Sequence, residues 1–135
     1  ELMRIPVFGW YLKKIGSISI KRDKITKDNL NFFEDVSEMI HNSRRPIVIF
    51  PQGTRVLPGD RTPFKKGASR IYEKLNILCQ PVAINSGYAW PKKGIKKTNK
   101  VITISILKPI GPGLQKEEFL QTLQKKIYDE LDYIC

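Results

Sequence analysis

A chain of 135 residues with 41% hydrophobic content is long enough to bury one core and too apolar for disorder or a fibrous repeat. Lys and Arg outnumber Asp and Glu to give a formal net charge of +11, which favours polyanionic partners: nucleic acid, anionic lipid or phosphorylated substrates. No run reaches the roughly 18 apolar residues of a membrane-crossing helix, and two distant cysteines, Cys79 and Cys135, make neither a disulfide framework nor a zinc pattern.

The chain opens at Glu1 and Leu2 without an initiator Met or a signal pattern, which reads as a cut inside a longer sequence. Residues 5–15 mix Ile5, Val7, Phe8, Trp10, Tyr11 and Leu12 with Lys13 and Lys14 and stop at Gly16, as a short helix does. Ser17 to Lys21 alternate in the manner of a strand, with Ile18 and Ile20 on one face. Arg22 continues that face by the period of two; it either reaches toward a pocket rim or follows a strand that has already ended.

From Thr26 to Ser43, Leu30, Phe33, Val36 and Ile40 recur at helical spacing. Pro46 then opens Ile47-Val48-Ile49-Phe50, a continuous apolar run that suits a strand buried on both faces. Lys65 to Leu75 read as a helix with Ala68, Ile71, Tyr72 and Leu75 on one side. Strands follow at Leu78 to Asn85 and at Val101 to Leu107. A closing amphipathic helix carries Phe119, Leu120, Leu123, Ile127 and Leu131. Strands alternating with helices predict a single α/β domain with a largely parallel central sheet flanked by helices. Cys79, between Leu78 and Val82, reads as a small buried apolar residue.

Ligands of open α/β sheets gather at the carboxyl ends of strands, which directs attention to Phe50-Pro51-Gln52-Gly53-Thr54-Arg55. Pro51 lacks an N–H and ends a ladder, and Gly53 permits positive φ and close backbone approach. Thr54 adds a hydroxyl, and Arg55 adds a planar fork suited to phosphate. The same residues fit an anion cradle or an everyday Pro-x-Gly turn. His41, the only histidine, sits near a helix end. No Gly-x-Ser-x-Gly elbow, Cys–His arrangement, Walker loop or dinucleotide fingerprint is present, and no metal-ligand pattern, so the chain offers no general base of its own.

The six-residue block resembles the Phe-Pro-Glu-Gly-Thr-Arg block of the glycerolipid acyltransferases, in particular the 1-acylglycerol-3-phosphate acyltransferases. Gly16 to Arg22 resembles the preceding block of that family, Pro81 to Gly87 its fourth block, and Glu1 to Trp10 the stretch just after its first. Four stretches in order cover nearly the whole chain. The resemblance implies transfer of a fatty acyl group from acyl-carrier protein or acyl-coenzyme A to the free hydroxyl of lysophosphatidic acid, giving phosphatidic acid, with no cofactor beyond the thioester donor. It implies that the family's His-x4-Asp block, with His as base and Asp as its orienter, lies upstream of Glu1. Residues 1–135 would then be the C-terminal part of a single acyltransferase domain, inactive alone.

The same resemblance makes Arg22 and Arg55 candidates for holding the substrate phosphate. Gly16 and Gly53 would shape the backbone there, and Thr54 and Gln52 would add hydrogen bonds. Gln52 departs from the family's Glu: it keeps the size and an acceptor oxygen and loses the charge. A lipid acceptor implies work at an anionic membrane surface, at its cytoplasmic face. Five lysines between Lys92 and Lys100 beside Trp90 either touch headgroups there or form a solvated loop. Nucleic acid is not an expected partner, since the aromatics fall in core-like positions and no binding module is seen. The alternatives are a sibling acyltransferase with another glycerolipid acceptor and a lipid-binding relative without catalysis.

Overall fold

The computed structural model describes residues 6–16, 28–43, 46–91 and 99–135. The chain divides into two compact units, Glu1–Ile47 and Val48–Cys135.

The first unit holds two helices, α1 (Phe8–Lys14) and α2 (Asp28–Ser43). The chain leaves α1 through Gly16 at φ +75°, the left-handed conformation that a residue without a Cβ adopts most readily at a helix end. A side chain at Gly16 would stand 3.9 Å from Met39 Sδ of α2. Of the stripe expected on α2, Val36 is buried and Ile40 half-buried; the side chains of Leu30, Phe33 and His41 lie outside the described residues. The strand expected over 17–21, and Arg22 with it, also lies outside them.

The second unit is built on α3 (Gly67–Leu75), α4 (Lys116–Ile134) and a pair of short strands, β1 (Val82–Ile84) and β2 (Ile104–Ile106). Its core joins Phe64, Tyr72, Ile110, Phe119, Leu123 and Tyr128, with Cys79, Leu114 and Leu120 packed against it. Tyr72 and Phe119 stack with ring centroids 3.7 Å apart, and Phe64 tilts against Tyr128 at 5.2 Å. Burial of each such ring stabilises the fold by about 1.5–3 kcal/mol. The helix α3 ends at Asn76, left-handed at φ 47°, whose N–H returns to the Tyr72 carbonyl at 2.9 Å. Asn tolerates that conformation better than most residues.

All four expected helices lie within the observed ones or overlap them, and the strands expected over 78–85 and 101–107 contain β1 and β2. The sheet differs from the expectation. The two strands pair antiparallel, Val82 opposite Ile106 and Ile84 opposite Ile104, and a Cys79–Ile110 bridge extends the pairing. The described parts of the 85–103 connection hold only a single turn of 3-10 helix, Ser86–Tyr88. A parallel return needs a crossover of about a dozen residues or more, usually a helix. Residues 46–50 join no ladder among the described residues, and Val48 and Phe50 are each 79% exposed. The burial on both faces expected for that run is therefore not observed.

The strand pair is one-sided. Ala83 is fully buried, while Val82, Ile84, Ile104 and Ile106 are exposed. Asn85 ties the pair to the end of α4: its Nδ2 donates to the Ile134 carbonyl at 2.9 Å, and its Oδ1 accepts from Thr103 N–H at 2.8 Å. A buried amide with both ends paired costs little and fixes orientation.

Candidate functional site

Gln52, Gly53, Thr54 and Arg55 fall on one continuous turn at the start of the second unit. Gly53 adopts φ +70°, and its N–H closes the turn onto the Phe50 carbonyl at 3.0 Å. A Cβ at this position would lie 3.2 Å from Lys65 Cγ, so the backbone conformation and the close neighbour both call for glycine. The turn is held from below: Lys65 N–H donates to the Pro51 carbonyl at 2.8 Å, across a loop of residues 52–64.

That loop is in turn strapped to α4. Phe64 N–H donates to Gln124 Oε1 at 2.9 Å, and Tyr128 Oη donates to the Thr62 carbonyl at 2.5 Å. Gln124 and Tyr128 are four residues apart and share one side of the helix. Gln52 Nε2 donates to Tyr128 Oη at 3.3 Å, so the turn itself is joined to the same point.

The two arginines of this region differ in what they do. The Arg61 guanidinium pairs with Asp132 and lies 4.9 Å from the Tyr128 ring centroid, and both contacts pin the loop to α4. Arg55 is exposed, and among the described residues no carboxylate pairs with it. A guanidinium presented beside the amides of a glycine turn, with the Thr54 hydroxyl also exposed, is suited to donate to a pair of phosphate oxygens. Among the described residues no group of three His, Cys, Asp or Glu stands close enough together to hold a metal ion.

Of the other expected site residues, Gly16 belongs to the first unit and Arg22 lies outside the described residues. The expected basic surface is described only in part: Trp90 is exposed, Lys100 Nζ stands 5.7 Å from the Tyr88 ring centroid, and residues 92–98 lie outside the described set. No helix among the described residues is long and apolar enough to cross a membrane.

Sequence reading missed Tyr128 and Gln124. The apolar stripe of α4 runs through Phe119 and Leu123, and Tyr128 stands about 180° around the axis from Phe119 at 3.6 residues per turn. Gln124 and Tyr128 border the Leu120, Ile127 and Leu131 part of the stripe, and no local spacing singles them out, because the groups they serve are backbone atoms some sixty residues earlier.

The chain belongs to the acyltransferase family, whose model matches residues 1–85. It is 32% identical over 132 residues to the 1-acyl-sn-glycerol-3-phosphate acyltransferase of Helicobacter pylori, a match covering 96% of this chain and 55% of that protein. It is 29% identical over 117 residues to the enzyme of the same name from Pseudomonas aeruginosa, covering 87% of this chain and 44% of that one. A chloroplastic 1-acyl-sn-glycerol-3-phosphate acyltransferase of Brassica napus is 31% identical over 133 residues, covering 96% and 38%. The chain thus spans about half or less of the length of the curated relatives it matches. No solved structure matches it.

Proposed function

We propose that this chain is the substrate-binding part of an enzyme that acylates the free hydroxyl of 1-acylglycerol-3-phosphate to give phosphatidic acid. The observation that carries the reading is the turn Gln52–Arg55: a left-handed glycine, closed and held from below, presenting an exposed guanidinium. The relatives' shared name supplies the acceptor.

In this reading Arg55 holds the acceptor phosphate, Gly53 shapes the backbone beside it, and Thr54 and Gln52 contribute hydrogen bonds. The acceptor hydroxyl oxygen attacks the carbonyl carbon of an acyl thioester of acyl-carrier protein or coenzyme A. Its proton passes to a His–Asp base outside this chain, and the tetrahedral intermediate collapses with loss of the thiolate, which takes up the proton. A phosphate fixed at Arg55 holds the hydroxyl at a set distance from that base, the orientation effect on which such a transfer depends.

Two further elements belong to the reading. The domain as a whole forms a largely parallel central sheet; the run Ile47–Phe50, exposed from Val48 on, has the composition of a strand covered on both faces. The enzyme works at the cytoplasmic face of an anionic membrane, where each lysine of the 92–100 segment contributes about 1 kcal/mol and Trp90 favours the interface.

The test is transfer of labelled acyl groups to lysophosphatidic acid by the full-length protein in membranes, for the wild type and Arg55→Ala. Phosphatidic acid formation with a raised KM for the acceptor in the variant supports the reading. No transfer from any thioester donor by a folded protein refutes it in favour of a lipid-binding relative.

A further inference from the structure

The turn that carries Arg55 is tethered by a side chain whose hydrogen-bond polarity is fixed from elsewhere. A phenol has one proton to give and two lone pairs to offer. Tyr128 Oη commits its proton to the Thr62 carbonyl, which has none to return. A group approaching Oη from the other side is satisfied only if it is a donor. The Gln52 amide is one, at 3.3 Å. A carboxylate at position 52 is an acceptor alone and would compete with the Thr62 carbonyl for the single phenol proton.

The tyrosine is held independently of Gln52. Its ring packs against Phe64 at 5.2 Å and lies under the Arg61 guanidinium, which is itself tied to Asp132. The strap at residues 62–64 is pinned one turn earlier on α4 by Gln124. The phenol oxygen is therefore a fixed point set by α4, and the turn is hung from it.

We propose that Tyr128 is a positioning residue for the phosphate-binding turn: its hydroxyl, oriented by the Thr62 carbonyl, holds Gln52 and with it the backbone that presents Gly53, Thr54 and Arg55. The pairing makes an amide, and not a carboxylate, the matched side chain at position 52. The inference rests on the phosphate reading of the turn given above.

Tyr128→Phe and Gln52→Glu, alone and combined, test it in the full-length protein. The phenylalanine variant keeps the ring against Phe64 and beneath Arg61 and removes only the hydroxyl. The expected result is a rise of about fivefold in KM for lysophosphatidic acid, the size of one hydrogen bond, with kcat and the donor KM unchanged. Amide hydrogen exchange in detergent micelles should quicken at Gly53 and Lys65, which close and support the turn, and stay unchanged at Phe119 in α4. Gln52→Glu should cause a comparable loss when Tyr128 is present and no further loss on top of Tyr128→Phe, the non-additivity of a shared bond.

Unchanged exchange at Gly53 and Lys65 in Tyr128→Phe overturns the proposal. So do additive losses in the double variant. If the wild type transfers no acyl group to lysophosphatidic acid, the phosphate reading fails, and the exchange measurements alone decide whether Tyr128 fixes the turn.

Discussion

Within the second unit, the corner where α3 and α4 meet under the turn contrasts with the outer face of β1 and β2. The corner joins three other aromatic rings, Ile110 and Leu123 with Phe119, which is 2% exposed, and it satisfies its polar groups with partners far off in sequence. The strand pair buries only the Ala83 side and leaves Ile106 75% exposed. The strand sequences are no less apolar than the corner. What differs is the presence of a second layer: α4 packs over one side of β1, and the opposite side has no cover among the described residues. Side-chain hydrophobicity creates the tendency to be buried, and a neighbouring element decides whether it is met.

The largest effect that tests this contrast is Phe119→Ala. Loss of the ring stacked on Tyr72 should cost about 3–5 kcal/mol, read as a lower denaturant midpoint; a loss below about 1 kcal/mol would show that the corner is not the core.

Arg55→Ala, on the rim of the same corner, separates binding from stability. It should leave the melting temperature unchanged while raising the acceptor KM by roughly 10- to 100-fold, the range of a charge-assisted hydrogen bond. Tyr72→Phe removes a hydroxyl that donates to the Gly111 carbonyl and accepts from Leu114 N–H. It should cost about 1–2 kcal/mol in chemical denaturation.

On the outer face, Ile106→Ser should change stability by no more than about 0.5 kcal/mol. A larger loss in the full-length protein would mean that the face is covered there.

Cys79 lies on the seam between the regions, bonded in both directions to Ile110 and packed against the core. Burial pushes its thiol up from the ordinary range. The folded state thus holds this proton more tightly than the unfolded chain does. The corresponding stability is full below the usual thiol pKa of about 8.5 and is lost as pH rises through the raised value. Thermal melts from neutral to alkaline pH should show a small decline that Cys79→Ala removes.

The helices were legible in the sequence for a local reason. The Phe119–Leu131 stripe, the Ala68–Leu75 side and the stop at Gly16 are written in neighbouring residues at intervals of three and four. So was the left-handed glycine at position 53, because only that backbone freedom explains a glycine in a tight turn after Pro51. The direction of the β1–β2 pairing was not legible: the alternation of strands and helices predicts a parallel sheet, whereas these two strands pair antiparallel. The support of the turn was not legible. Gln52 meets Tyr128 at a separation of 76 residues, and Phe64 meets Gln124 at a separation of 60.

The sequence by itself determined the described helices, the glycine turn and the family to which the chain belongs, since each depends on local spacing or on an ordered set of short blocks. Only the tertiary structure decided which apolar residues are buried and which side chains of α4 carry the turn. Those outcomes depend on which surfaces meet, and a donor, an acceptor and a ring brought together from three distant segments leave no periodic mark on any one of them.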